Sequence, residues 1–310
     1  MDASQLRPLG VGEIIDAGIR ITRSRFRDLA ILVGIIVIPA QVVQFFVAIS
    51  APGSEVSFGF SPTPESGATE ASDALTQLAA TLVSLVIGLL TAWLATAACT
   101  EIVSSTYLGG RAGWRESLRK AWNRFVSLVG ANLLILVITG VGLLACFFPG
   151  VWLYIAFTVA VPAIIVEGIR GPASLRRSFR LVRGRWWSVF AIVLVSQLLA
   201  AIVQGFVALP MIPVLLAAGG DSTVVTYFAT GVSTVVGTVL TQPFIAALVV
   251  IIYYDLRVRR EGFDLALMVQ QLDAPPPPVT TSRATTEGAP LMPEPPDWHP
   301  TPPPGWEPPE

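Results

Sequence analysis

The sequence predicts an all-α polytopic integral membrane protein, with six transmembrane helices in three hairpins and basic amphipathic interfacial helices. Three observations carry that reading. First, mean hydropathy is +0.67, with 53% hydrophobic and only 13% charged residues. That balance belongs to membrane chains rather than soluble domains. Second, apolar runs approaching or exceeding the roughly 20 residues a helix needs to cross a bilayer recur along the chain. Third, the 20 basic residues fall into four clusters: Arg7 to Arg27, Arg111 to Arg124, Arg170 to Arg185, and Arg257 to Arg260 plus Arg283. The stretches Ala51 to Asp73 and Pro210 to Asp221 hold no basic residue. Lys/Arg bias in short loops sets orientation during insertion, so the clusters mark the cytoplasmic side.

Taken in order, residues 1–27 read as a cytoplasmic amphipathic segment. Its apolar positions Ile15, Ile19, Thr22 and Phe26 are spaced four, three, four, with Arg20, Arg23 and Arg27 off that stripe. The membrane domain, residues 28–255, contains six expected spans: Leu29–Ile49, Leu78–Ala98, Val126–Phe148, Val151–Val166, Trp187–Leu209 and Val224–Tyr254. The third span is preceded by Leu118, Trp122, Phe125 and Val129 at the same spacing, with Arg115, Arg119 and Lys120 on other faces. The fifth is preceded by Leu175, Phe179, Val182 and Trp186, with Arg176, Arg177, Arg180 and Arg183 off the stripe. The text itself recurs, Ser117 to Trp122 (SLRKAW) against Ser174 to Phe179 (SLRRSF). Each even span carries an acid near its inner edge: Glu101, Glu167 and Asp255. The repeating unit is therefore surface helix, span, turn, span, acid, used three times.

The fourth span is short. Trp152 and Tyr154 suit an interfacial anchor at its outer end. Phe147-Phe148-Pro149-Gly150 reads as a tight external turn before it, since Pro stops a helix and Gly permits reversal. In the sixth span Gln242-Pro243 is expected to kink or interrupt the helix. The two cysteines, Cys99 and Cys146, fall at different depths and are expected to be free thiols. The first apolar run is too long for a signal-peptide core and follows charged amphipathic sequence, so it is expected to be retained.

Residues 256–272 form a cytoplasmic juxtamembrane segment, and 273–310 a Pro-rich acidic tail. The tail has 14 prolines between Pro275 and Glu310, and six acids against Arg283 alone. Such composition cannot bury enough surface to fold and favours polyproline II, so the tail is expected to be disordered. Trp298 and Trp306 are candidate anchors within it, toward a partner or toward the protein's own basic face.

Candidate chemistry is sparse. The single histidine, His299, lies in the tail, which leaves a serine triad without its base. No Cys/His cluster has metal-ligand spacing, and no phosphate-binding glycine loop appears. No enzymatic activity, cofactor or metal is therefore expected. The arginines named above are candidate lipid-headgroup contacts, since amphipathic helices of this kind lie on anionic membrane surfaces. The three acids have two readings. Either they neutralise neighbours (Glu167 beside Arg170, Asp255 beside Arg257 and Arg259), or they pair with the surface-helix arginines and orient those helices. Thr226, Thr230, Thr234, Thr238, Thr241 and Gln242 along the sixth span also have two readings: a polar path or a packing seam.

The stretches Pro162 to Gly168 followed by Ser174 to Trp187, the opening Arg7 to Ala17, and the closing Tyr253 to Asp264 resemble the multipass membrane domain attached to some bacterial glycerophosphodiester phosphodiesterases. That domain also occurs alone in bacterial membrane proteins of unknown function. The resemblance spans roughly residues 5 to 270 and implies the fold. It carries over no phosphodiesterase activity, because the tail lacks the length, histidines and acids of such a domain.

The function expected is a non-enzymatic protein of the bacterial cytoplasmic (inner) membrane, with both termini cytoplasmic, that organises lipids or partner proteins. The alternative is a transporter or lipid translocator using the sixth span. Expected partners are membrane lipids, anionic ones suiting the arginines, and a cytoplasmic protein at the tail. No nucleic acid is expected, and a homo-oligomer is compatible.

Overall fold

A chain of this hydropathy must satisfy its backbone polar groups within each segment, and helix does so without partners. The structure, a computed structural model, describes residues 10–50, 71–110, 113–217 and 223–261. Among them every regular element is a helix: α1 (Val11–Ser24), α2 (Phe26–Ser50), α3 (Ala71–Tyr107), α4 (Trp114–Asn123), α5 (Phe125–Ala145), α6 (Phe147–Phe157), α7 (Ala160–Glu167), α8 (Pro172–Val182), α9 (Trp186–Ala208), α10 (Met211–Ala217) and α11 (Thr223–Glu261). Six helical segments are long and apolar enough to cross a membrane: α2, Leu75–Tyr107 of α3, α5, Phe147–Glu167, α9 and Val224–Glu261 of α11. The tail, with Trp298 and Trp306, lies outside the described residues.

Helix α11 is the hub. It packs against α1, α2, α3 and α9. In its most apolar window 56% of residues are buried, against 17% for the windows in α3 and α5. Its half nearest the basic residues is almost wholly enclosed, from Ala246 and Ala247 through Ile251, Tyr253 and Tyr254 to Leu256. Each basic helix docks on a hairpin of the bundle. Helix α4 docks on α3 and α2, the hairpin before it. Helix α8 docks on α7 and α6, again the preceding hairpin, and α1 docks on α11 and α9, the last hairpin.

The surface helices seat on the bundle mainly through a row beside their apolar stripe. The buried positions are Ile14, Gly18 and Ile21 in α1, and Ser117 and Ala121 in α4. In α8 they are Ser174, Ser178 and Leu181, together with Leu175 and Val182. In each helix the seated row starts one residue before the apolar stripe, about 100° around the axis. Small side chains in the middle of the row, Gly18, Ala121 and Ser178, let each helix come close to its support. A Cβ on Gly18 would lie 2.7 Å from Leu248 Cδ2. In α4 and α1 large residues of the stripe are left on the flank, with Trp122 62% exposed and Ile19 47%.

Four expectations are corrected. Phe147 to Gly150 is not a turn but the first turn of α6, and the reversal is made by Cys146 in extended conformation (φ −170°, ψ 146°). Proline costs nothing in a first helical turn, where its N–H would be unpaired anyway. Gly150 serves contact rather than reversal, since a Cβ there would meet the Leu143 backbone at 2.7–2.8 Å and the Leu143 Cβ at 2.9 Å.

The fourth span is not one helix over Val151–Val166. It runs Phe147–Glu167 and breaks at Thr158-Val159, four residues before Pro162. Pro162 has no N–H to offer the Thr158 carbonyl and its ring clashes there. The Ser178 hydroxyl donates to the Ala156 carbonyl at 2.8 Å, satisfying one acceptor at the broken end.

Trp152 is not an outer anchor. Its carbonyl accepts the indole N–H of Trp186, the first residue of α9 next to Arg185, at 3.1 Å, and its ring meets Phe179 of α8 edge-on. The approach of α8 allowed by Ser178 brings α6 to this junction.

Finally, the expected interruption at Gln242-Pro243 does not occur, and α11 is one continuous helix through Pro243. One lost backbone bond is minor in a helix gripped by α2, α3 and α9, where Pro243 itself is buried. Cys99 is buried and Cys146 exposed, both as free thiols.

Candidate functional site

The C-terminal ends of α3, α7 and α11 carry the three acids to the same end of the bundle as α1, α4 and α8. Two of the predicted cations turn inward to meet them. Lys120 of α4 donates to Glu101 Oε1 at 2.6 Å, with side chains 45% and 10% exposed. Arg177 of α8 donates through Nε and Nη2 to both carboxylate oxygens of Glu167 at 2.8–3.1 Å, a forked geometry. Arg177 is 15% exposed and Glu167 16%.

Lys120 and Arg177 occupy equivalent positions in the recurring SLRKAW and SLRRSF text. The same ion pair is thus made twice, each time joining a surface helix to the second span of the preceding hairpin. Glu167 therefore does not rely on Arg170, and the orienting reading fits the geometry of both pairs.

The α7–α8 pair is the centre of a larger network. Arg177 also donates to both oxygens of Glu261 at the end of α11, one at 2.8 Å. Tyr253 donates its hydroxyl to Glu167 Oε1 at 2.6 Å. Arg257 reaches Glu261 at 3.3 Å and stands 3.7 Å from Glu167. Hydrogen bonds to Glu261 and then Glu167 hold the Arg177 guanidinium well above its usual pKa, so it stays charged. Beside this, Arg124 donates to the carbonyls of Ile164 and Ile165 in the last turn of α7, the Ile165 bond at 3.1 Å. The positive φ of Gly168 (75°) ends α7 under that guanidinium, where a Cβ would stand 3.3 Å from Arg124 Nη2.

Asp255, the third acid, is 7% exposed and is bound within its own helix by Arg259, whose Nε lies 2.9 Å from both oxygens. This matches the local-neutralisation reading for that acid. Where α4 and α8 have Lys120 and Arg177, the matching position in α1 is Ala17.

The remaining predicted headgroup contacts, Arg20, Arg23, Arg27, Arg115, Arg119, Arg176, Arg180 and Arg183, are all exposed. Arg20 and Arg23 stand on α1, held by its buried row; Arg115, Arg119, Arg176 and Arg180 stand on α4 and α8, held also by an ion pair; Arg27 opens α2 and Arg183 follows α8. Arg115 lies over the ring of Trp114, its Cζ 4.9 Å from the centroid. Among the described residues Arg119, Arg176 and Arg180 have no acid partner.

The sixth-span threonines do not share one environment. Thr230 and Thr234 are exposed, with hydroxyls bonded to the Thr226 and Thr230 carbonyls of their own helix. Thr226 and Thr238 are half-buried. Thr241 is buried and accepts from Gln204 of α9 at 3.4 Å, while Gln242 donates to Thr96 Oγ1 of α3 at 2.6 Å. Polar contact between spans is thus concentrated at Thr241 and Gln242, where α11 meets α3 and α9.

Sequence reasoning missed Tyr253, Arg257, Glu261 and Arg124 as network members. One signal was present: Arg257 and Glu261 are four apart on one helix face. Arg124 gave none, because its partners are backbone carbonyls forty residues away.

Residues 124–256 match a family described as a domain of unknown function (DUF7847). The match runs from Arg124 at the head of α5 through α6 to α9 and most of α11. That description names no activity and does not mention phosphodiesterases. No curated protein and no solved structure matches the chain.

Proposed function

We propose that this multi-helix protein is a non-enzymatic, multi-pass component of the bacterial cytoplasmic membrane. It organises lipids or partner proteins through a rigid basic face, with both termini on that side. The supporting observation is the division of labour among the cations. Lys120 and Arg177 are committed to anchoring α4 and α8, while Arg115, Arg119, Arg176 and Arg180 stand exposed on those two anchored helices and Arg20, Arg23, Arg27 and Arg183 stand exposed nearby at the same end. Each exposed arginine near an anionic surface contributes about 1 kcal/mol of attraction. The Pro-rich tail and its Trp298 and Trp306 would extend the same role toward a cytoplasmic protein.

The competing reading, a transporter or lipid translocator with a polar path along the sixth span, has less support. Gln242 is occupied by Thr96, and Thr230 and Thr234 face out of the bundle.

The test is crosslinking and co-purification of the full chain from its native membrane, beside a version truncated after Asp273. Enrichment of anionic lipid in both forms, or of a defined protein lost on truncation, supports the proposal. Recovery of both forms with bulk-composition lipid and no partner overturns it. Thr230→Val with Gln242→Leu addresses the alternative: unchanged lipid and solute flux in reconstituted vesicles counts against a path.

A further inference from the structure

The repeat produces the same groove twice. One groove, about 690 Å³, lies between α4 and the first hairpin, with Ile35, Ile36 and Leu94 on its walls and Leu118 and Trp122 contributed by the surface helix. The other, about 720 Å³, lies between α8 and the second hairpin, with Leu134, Ile138 and Phe157 on its walls and Leu175 and Phe179 from the surface helix. Both volumes fall in the range of ligand sites, about 300–1,000 Å³. Leu118 and Leu175 are equivalent in the repeated text, as are Trp122 and Phe179. Each groove is also lined by two exposed arginines, Arg115 and Arg119 in the first and Arg176 and Arg180 in the second. Arg119 and Arg176 are equivalent, and neither has an acid partner among the described residues.

An apolar trough open along the flank of the bundle, with guanidinium groups on one helix that meet no acid among the described residues, matches one kind of molecule: an acyl chain attached to a phosphate. Guanidinium groups suit phosphate through paired hydrogen bonds. We propose that each groove binds one anionic glycerophospholipid, its acyl chain along the apolar wall and its phosphate on Arg119 or Arg176. The stoichiometry is two rather than three. In α1 the positions matching Arg115 and Arg119 are Gly12 and Asp16, so the third unit offers a carboxylate where the others offer a cation. This inference deepens the lipid-organising role and rests on it, but it names bound lipids rather than a diffuse enriched layer.

The test is native mass spectrometry of the full-length protein after incubation with equal amounts of dioleoyl phosphatidylglycerol and dioleoyl phosphatidylcholine. The wild type is expected to retain two phosphatidylglycerol molecules. R119Q and R176Q each lower the count to one, and the double variant to none, whereas R119K and R176K, which keep the charge but not the fork, lose less than the Gln variants. Because those arginines are exposed and Lys keeps the charge, a greater loss in the Gln than in the Lys variants reports the phosphate contact rather than the fold. Equal retention of the two lipids, or a count unmoved in the Gln variants, overturns the proposal.

Enrichment of fluorescent phosphatidylglycerol around the protein in vesicles separates the two readings. Two retained lipids without enrichment would leave the grooves standing and remove the broader organising role. Enrichment with an unmoved count would do the reverse.

Discussion

Helices α4 and α8 differ from α1 in how they are held, although all three open a repeat of the same form. The first two use a cation set into the acid of the preceding hairpin, Lys120 on Glu101 and Arg177 on Glu167. The third uses close contact: Gly18 lies against Leu248, Ala17 carries no charge, and Asp255 is bound by Arg259 instead. The same docking can thus be reached by an ion pair or by removing a side chain. The ion pair positions a helix at a chosen register. Close contact demands a surface that fits but needs no charge to be desolvated.

The largest effect is expected from breaking the stronger ion pair. Arg177→Met leaves Glu167 and Glu261 partly buried without their shared donor. The expected cost is about 1.5–3 kcal/mol, the range for hydrogen bonds to charged groups. Denaturant unfolding of the full chain in detergent measures it, and a change below a few tenths would mean the network is incidental.

Next comes the contact of α1. Gly18→Val forces Leu248 and its neighbours to move and is expected to cost about 1–3 kcal/mol by overpacking. Gly18→Ala should cost less, since its single Cβ crowds chiefly the Leu248 side chain, at 2.7 and 3.3 Å, and meets Phe244 at an ordinary 3.7 Å. Equal unfolding midpoints for wild type and Gly18→Val would sink the close-contact account.

Lys120→Met is expected to cost less than about 1 kcal/mol, because Lys120 is nearly half exposed and solvent screens the pair. A loss as large as that of Arg177→Met would show that exposure does not govern the difference between α4 and α8.

The smallest effect sharpens the comparison most. Ala17→Lys restores to α1 the cation its sisters carry. It should change stability by less than about 0.5 kcal/mol in the wild type, where Asp255 is already paired. In an Arg259→Ala background the same substitution should recover part of the loss, read as a coupling in a double-mutant cycle. No coupling between the two sites would place Ala17 out of reach of Asp255.

Much of the fold was legible in the residues. Hydropathy gave six segments, the clusters of Arg and Lys gave the end at which the surface helices gather, and the repeated SLR text gave the equivalence of Lys120 and Arg177. The misreadings share a cause. Pro149, Pro162 and Pro243 look alike in sequence, yet one opens a helix, one breaks a span and one is accommodated. The outcome depends on position in the helix and on what grips it, as α2, α3 and α9 grip Pro243. The seated row of each surface helix was missed because apolar bulk marks a membrane-facing flank as readily as a protein-facing one. Small residues such as Gly18, Ala121 and Ser178 give no hydropathy signal. At the candidate site the acids and ten cations were legible as types, but not which two cations would turn inward.

The sequence by itself determined the segments, their apolar character and the common end of their charges, because the bilayer imposes those properties on each segment separately. The tertiary structure alone decided the partner of Glu167, the break after Phe157, the face on which α1, α4 and α8 sit, and the grooves left beside them. Those depend on where a neighbouring helix places a carbonyl, a carboxylate or a vacant Cβ position, and such distances arise only when segments far apart in the chain are packed together.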